Sequence, residues 1–270
     1  MRKHSVYACR DSDIVNSFKA QTACSDDIER FRNWRTRLGA VFFAVFIVVP
    51  IRYNNRMYKL VLFDLDGTLT QSEFGILASA KYALEKFGIY EADEKKLKRF
   101  IGPPLYVSFS EFYGLNGADG EEAVRLYREV YEKEEYKNAP VYDGIPDALS
   151  ALKKAGAALM VVTSKPQDMA ERVVEHVGLK PFFDAIVGPG REMHTPSKKE
   201  LIERALALSS ARKEDAVMIG DRKFDIEGAK GAEIASVGVL YGYGSKEELQ
   251  DAGASFLAET PAQIASLVGA

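Results

Sequence analysis

Tyr58-Lys59-Leu60-Val61-Leu62-Phe63-Asp64-Leu65-Asp66-Gly67-Thr68-Leu69-Thr70 is a short apolar run that ends in two carboxylates one residue apart, followed by a glycine and two hydroxyls. An unbroken apolar run of this length predicts a strand buried on both faces, as in a parallel sheet. Four more runs of the same kind follow, at Ala158 to Val162, Ala185 to Val187, Ala216 to Ile219 and Ser236 to Leu240. Between them the apolar residues recur at helical spacing. Ile145, Leu149 and Leu152 share one face, as do Met169, Val173 and Val177, and then Leu201, Ile202, Ala205 and Leu206. Gly156 and Gly178 stand where two of these helices should stop. Strand and helix in regular turn predict an α/β fold, a Rossmann-like three-layer core with a parallel sheet covered on both faces. Ligands of such sheets bind beyond the carboxyl ends of the strands, so the polar residues after each run are the ones to read for chemistry.

One block breaks the alternation. From Phe74 to Ala139 the pattern is helical, with Ile76, Leu77, Ala80, Ala83, Leu84 and Phe87 and then Ala123, Tyr127, Val130 and Tyr131. Gly102-Pro103-Pro104 and the stretch Gly114 to Gly120 read as breaks between helices. About 65 residues without a strand exceed an ordinary crossover, so this block reads as an inserted all-helical unit. The expected organisation is an extension at 1–56, a core at 57–73 and 140–270, and the helical insertion at 74–139.

The composition fits that organisation. The 270 residues are 47% hydrophobic and 28% charged, proportions of a soluble globular protein that exclude wholesale disorder and a polytopic membrane protein. A formal charge of −3 offers no basic field for a polyanionic backbone, so nucleic acid is not an expected partner. The two cysteines, Cys9 and Cys24, make neither a disulfide framework nor a four-ligand zinc site, and predict a reducing, cytoplasmic setting. Residues 1–56 differ in kind from the rest. They hold ten Lys and Arg against five Asp and Glu, leaving 26 against 34 for the remainder, and they contain Trp34, the only tryptophan. Their apolar run, Leu38 to Ile51, would cover roughly 21 Å as a helix, short of the ~30 Å hydrocarbon core. It reads as part of a leader with Met57 as the working start, or else as a weak signal anchor, and membrane contact is expected only if the run is retained.

Three strand ends carry reactive groups: Asp64 and Asp66 after the first, Thr163-Ser164-Lys165 after the second and Gly220-Asp221-Arg222-Lys223-Phe224-Asp225 after the fourth. Lys198 opens the helix between the third and fourth. Four carboxylates gathered at one sheet edge repel unless a cation neutralises them, and oxygen donors without cysteine or histidine suit a hard ion such as Mg²⁺. His176 and His194 lack the partners of a triad or zinc site. Lys165 and Arg222 read either as cleft cations or as surface charges.

Asp64 to Thr70, Thr163, Lys198 and Gly220 to Asp225 resemble the four motifs of the haloacid dehalogenase-like hydrolase superfamily, and the resemblance runs from Met57 to Ala270. Within it the chain is similar to the phosphoglycolate phosphatase and 5'-nucleotidase-like branch, on Gly102-Pro103-Pro104-Leu105, Gly220 to Gly231 and Gly238 to Gly244. The resemblance implies a Mg²⁺-dependent phosphatase acting on a small phosphorylated metabolite, with the helical insertion as a cap. Asp64 would be the nucleophile that forms an aspartyl-phosphate, and Asp66 the acid and base, entering protonated because other carboxylates surround it. Mg²⁺ would be held by Asp64, the backbone carbonyl of Asp66 and Asp221, with Asp225 acting nearby, and Thr163 with the backbone N–H of Ser164 would grip the phosphate. Lys198 would supply the fixed positive charge. It is preferred to Lys199 because Leu201, Ile202, Ala205 and Leu206 fix the buried face and because the family's lysine precedes an acid at +2, here Glu200. A sugar phosphomutase like β-phosphoglucomutase would use the same core, as would a phosphonatase with a cap lysine such as Lys81; a non-catalytic interaction protein is the reading from another class. The loop Gly188 to Ser197 departs from the branch, with Met193-His194-Thr195 where a Gly-Thr-Arg-like stretch often stands.

Overall fold

The structure is a computed structural model that describes residues 57–191 and 196–270. The run Leu38 to Ile51, both cysteines, Trp34 and the Met193-His194-Thr195 stretch lie outside the described residues. In chain order the elements are β1 (Leu60–Phe63), α1 (Glu73–Lys86), α2 (Glu94–Leu97), α3 (Leu105–Tyr113), α4 (Ala118–Tyr131), α5 (Ile145–Lys154), β2 (Ala158–Val162), α6 (Gln167–His176), β3 (Ala185–Val187) and α7 (Lys198–Leu208). They continue with β4 (Ala216–Gly220), α8 (Lys223–Gly231), β5 (Ala235–Val239), α9 (Lys246–Ala252), β6 (Phe256–Ala258) and α10 (Pro261–Leu267).

Six parallel strands form one sheet in the order β3-β2-β1-β4-β5-β6. β1 is central, and Phe63 stands opposite both Val161 of β2 and Ile219 of β4. The register therefore brings Asp64, Thr163 and Asp221 to the same edge. Successive side chains of β1 enter opposite layers, as strand geometry requires. Val61 and Phe63 pack with Leu149, Val161, Val173 and Ile264, while Leu60 and Leu62 pack with Leu201, Ile202, Met218 and Ala229. Each of these fully buried side chains stabilises the layers by about 1.5–3 kcal/mol, which ties the strand ends to a rigid base.

The structure differs from the expectation in four local ways. β1 begins at Leu60, and the fifth strand is Ala235–Val239. A sixth strand exists at Phe256–Ala258, whose three residues are too few to stand out as an apolar run. The break expected over Gly114 to Gly120 ends early, because α4 already starts at Ala118. Gly120 sits inside that helix, where a Cβ would meet the Leu115 carbonyl and the Tyr106 ring at 2.7 Å.

Helices α1 to α4 have their own apolar cluster, in which Leu77, Leu84, Phe100, Phe109, Ala123 and Tyr127 are buried together. Phe100 meets Phe109 edge-on at 4.8 Å, a favoured aromatic geometry. Met169 of α6 belongs to the same cluster, so the helical unit also packs onto the core beside the strand ends. Among the described residues, no helix is long and apolar enough to cross a membrane.

Candidate active site

Asp64 leaves β1 with its backbone N–H bonded to the Ile219 carbonyl at 2.9 Å, so its position is set by the sheet. The chain then turns sharply, the Leu65 carbonyl accepting the N–H groups of Leu69 and Thr70 at 2.9 and 3.0 Å. Gly67 makes the turn at φ +90°, a conformation side chains disfavour, and a Cβ there would overlap the Asp221 carboxylate. Asp221 follows β4, where it accepts the Thr68 hydroxyl at 3.1 Å and the Tyr243 N–H at 2.9 Å. Asp225 lies in the first turn of α8 and accepts the Arg222 N–H at 3.1 Å.

Lys198 is the first residue of α7, whose start is set by a reciprocal cap between Ser197 and Glu200. Its Nζ lies 2.9 Å from Asp64 Oδ1 and 2.8 Å from Asp225 Oδ1, and donates to the Val162 carbonyl at 3.2 Å. Gly228 of α8 leaves room for this approach, because a Cβ there would stand 2.8 Å from Lys198 Cγ. Lys199 is exposed and faces Glu203 at 3.7 Å. The alternative between the two lysines is thus a difference between the site and the solvent.

Burial dominates the electrostatics. It pushes the Asp64 carboxyl up to about 6, with Lys198 opposing the rise and the Asp225 and Asp66 carboxylates adding to it. Burial also raises Asp221 well above the usual carboxylate range, with Asp225 and Asp64 adding. For Lys198 burial favours the neutral amine, but Asp225 and Asp64 outweigh it and hold the ammonium above its ordinary value. Carboxylate oxygens of Asp64, Asp221 and Asp225 lie within 4.8 Å of one another. Counted as ionised, these three with Lys198 leave a net charge of −2. Asp64 Oδ1 and Asp225 Oδ1 are buried and share the Lys198 ammonium, one positive charge for two carboxylates. An all-oxygen cluster of three buried carboxylates with two surplus negative charges fits a hard divalent cation.

Asp66 is set differently from the expectation of a carboxyl surrounded by carboxylates. Its Oδ2 is paired with Lys165 Nζ at 2.9 Å, with both side chains largely buried. The same ammonium donates to the Tyr131 hydroxyl of α4 at 2.8 Å and lies 4.5 Å from the ring centre. Thr163, at the end of β2, is buried and accepts the Lys165 N–H at 3.2 Å. Asp64, Asp66, Thr163, Ser164 and Lys165 open onto one cavity whose other wall is made by the helical unit, through Phe100, Leu105, Tyr106 and Tyr127 among others.

Several candidates are placed elsewhere. His176 packs edge-on against Tyr136 at 5.8 Å, and His194 lies outside the described residues. Lys81 does not line the cavity. Arg222 spans two regions, donating to Glu248 at 2.9 Å and to the Ile101 carbonyl of the helical unit at 2.6 Å. Sequence reasoning passed over Thr68 and Tyr243, the two donors that orient Asp221, and the pairing of Lys165 with Asp66. Thr68 lies inside the motif already quoted, and Tyr243 in the glycine-rich stretch after β5, so a search for polar donors in both would have raised them.

An ordered set of acids and one lysine at the carboxyl edge of a parallel sheet, roofed by an inserted helical unit, defines a hydrolase of one family: residues 61–239 match the haloacid dehalogenase-like hydrolases, and the chain belongs to that family. It is 42% identical over 193 residues to a 5'-nucleotidase of Pseudomonas aeruginosa, an alignment covering 72% of this chain and 87% of the relative. It is 37% identical over 186 residues to the tyrosine-protein kinase PtkA of Mycobacterium tuberculosis, covering 69% of this chain and 63% of that one. Among solved structures, a predicted phosphatase from Clostridium acetobutylicum superposes with a TM-score of 0.75 at 41% identity, covering 78% of this chain and 97% of the other.

Proposed function

We propose that the protein is a Mg²⁺-dependent phosphatase that hydrolyses a small phosphate monoester through an aspartyl-phosphate on Asp64. The observation that carries this reading is the pairing of Asp64 Oδ1 with Lys198 at 2.9 Å, beside the cavity that Asp64 lines together with Asp66, Lys165 and Thr163. In-line attack by an Asp64 oxygen forms a bond to phosphorus as the ester oxygen leaves, which divides one difficult hydrolysis into two easier steps. Asp66 enters protonated, gives that proton to the leaving oxygen, and as the carboxylate paired with Lys165 then takes one from the water that cleaves the acyl phosphate. Lys165 orients Asp66, and the Thr163 hydroxyl with the Ser164 backbone N–H holds a phosphate oxygen. Lys198 places a fixed positive charge beside the nucleophile, where it lowers the repulsion between carboxylate and phosphate most as the transition state forms. Asp64, the backbone carbonyl of Asp66 and Asp221 would hold the metal, with Asp225 supporting it through Lys198 and the Arg222 N–H. When bound, Mg²⁺ neutralises charge on the phosphate oxygens and on the surplus carboxylates.

Helices α1 to α4 act as the cap in this reading. They supply an aromatic and apolar wall and select the substrate, while the core supplies groups directed at phosphate. The 5'-nucleotidase relative favours a small phosphorylated metabolite of nucleoside type, and the motif resemblance adds a phosphoglycolate-like ester. A phosphonatase would need a cap lysine in the cavity, and Lys81 does not line it. A sugar phosphomutase and a protein kinase would transfer the same phosphoryl group to an acceptor other than water. Release of inorganic phosphate from p-nitrophenyl phosphate, with and without Mg²⁺, tests the reading: metal-dependent release is expected. Absence of turnover across a broad panel of phosphate esters would overturn it.

A further inference from the structure

Five charged side chains line the cavity: Asp64, Asp66, Arg128, Glu132 and Lys165. Four of them are paired. Asp64 meets Lys198, Asp66 meets Lys165, and Glu132 meets Arg191 at 2.7 Å. Arg128 has no ion pair among the described residues, and its Nε is buried without a hydrogen-bond partner. It stands on the face of α4 that turns Val124, Tyr127 and Tyr131 toward the same cavity, at the spacing of one helix face. Burial lowers its pKa from the ordinary arginine value, and Arg191 adds to that effect, while Glu132 and Asp168 oppose it. Those two carboxylates are already held by Arg191. A partly desolvated guanidinium without an anion is unfavourable, and its planar fork matches carboxylate and phosphate oxygens two at a time.

We propose that Arg128 binds a second anionic group of the substrate, so that the preferred substrates are phosphate monoesters carrying a carboxylate or a further phosphate beside the scissile one. This rests on the phosphatase reading and narrows its substrate class. The scissile phosphate already has Lys198, Thr163 and the metal-binding carboxylates on the core side. Arg128 is, among the described residues, the one cation that the helical unit brings to the cavity lining, where it stands among Phe100, Tyr106, Tyr127 and Tyr131. Nucleoside monophosphates, whose remainder is neutral, are then the poorer class.

The test compares 2-phosphoglycolate and ethylene glycol bisphosphate with ethyl phosphate, in the wild type, Arg128→Gln and Arg128→Lys. The quantity read is the ratio of kcat/KM for each doubly anionic ester to that for ethyl phosphate. It does not depend on how much of a variant is folded. Arg128→Gln should lower the ratio about ten- to a hundredfold, mainly through KM, as expected for a lost hydrogen bond to a charged group. Arg128→Lys should retain part of it. The two doubly anionic esters separate a carboxylate reader from a phosphate reader. An unchanged ratio in Arg128→Gln overturns the proposal even if every ester is hydrolysed. Calorimetric binding of 2-phosphoglycolate to the wild type and Arg128→Gln gives the same contrast without turnover. Lost affinity in the absence of any hydrolysis would sink the phosphatase reading and leave the Arg128 assignment standing.

Discussion

The sheet edge and the helical unit above it are built on opposite rules. At the edge, the acids are held by neighbouring donors: Asp221 by Thr68 and Tyr243, Asp225 by Arg222 and Lys198, Asp66 by Lys165. In the helical unit, aromatic and aliphatic side chains face the cavity and Arg128 stands unpaired. The difference teaches where each part of an enzyme's task resides. Phosphate is the same in every substrate and can be met by a fixed array, whereas the remainder varies and is met by a wall that supplies shape and one unpaired cation.

If that division is right, substitutions at the edge should remove the reaction and substitutions in the wall should redirect it. Asp64→Asn deletes the nucleophile and should lower kcat by roughly 10⁴- to 10⁶-fold on every ester, read as phosphate release. Asp66→Asn keeps the nucleophile and should lose about 10² to 10⁴-fold, with the smallest loss on esters whose leaving group has a low pKa. Equal losses in the two variants across leaving groups would break the assignment of separate roles.

Stability sharpens the same contrast. Lys198→Met leaves Asp64 and Asp225 without their buried counter-charge and should destabilise the fold by about 3–5 kcal/mol in urea melts, offset in part by added Mg²⁺. Lys199→Met touches only an exposed pair and should stay within about 0.5 kcal/mol. The pH dependence has a definite sign. Burial pushes the Asp64 carboxyl up to about 6 in the folded, metal-free protein, against 3.8 for a freely solvated aspartate. Between those values the folded state binds the extra proton, so stability relative to Asp64→Asn should fall as pH rises from about 4 to about 6, by on the order of 3 kcal/mol. Mg²⁺ should stabilise the wild type more at pH 7.5 than at pH 5, as measured by thermal shift. Substitution in the wall should alter selection more than chemistry. Tyr106→Ala should reorder KM values across substrates by about tenfold while changing turnover of an activated ester less.

Much of this was readable from the chain alone, for a physical reason. Short apolar runs in a parallel sheet put the residue after each run at one edge, so Asp64, Thr163 and Asp221 could be gathered without coordinates. Lys198 could be separated from Lys199 because the apolar face of α7 orients the helix. Contacts made by approach of distant segments left no such trace. Lys165 reaches Tyr131 across 34 positions and Tyr243 reaches Asp221 across 22, and no periodicity encodes either. Arg128 carries no signal in the sequence, since its burial depends on how α4 lies over the sheet edge. β6 escaped because three residues between two short helices carry too little pattern to read.

The account turns on a covalent bond at one residue, and that bond can be trapped. A rapid acid quench during turnover of a good phosphate ester, followed by borohydride reduction and peptide mass spectrometry, converts an aspartyl-phosphate into homoserine at the modified position. We expect homoserine at position 64 in the wild type and none in Asp64→Asn. Steady phosphate release with position 64 still an unmodified aspartate, under conditions that trap other acyl phosphates, would contradict the mechanism.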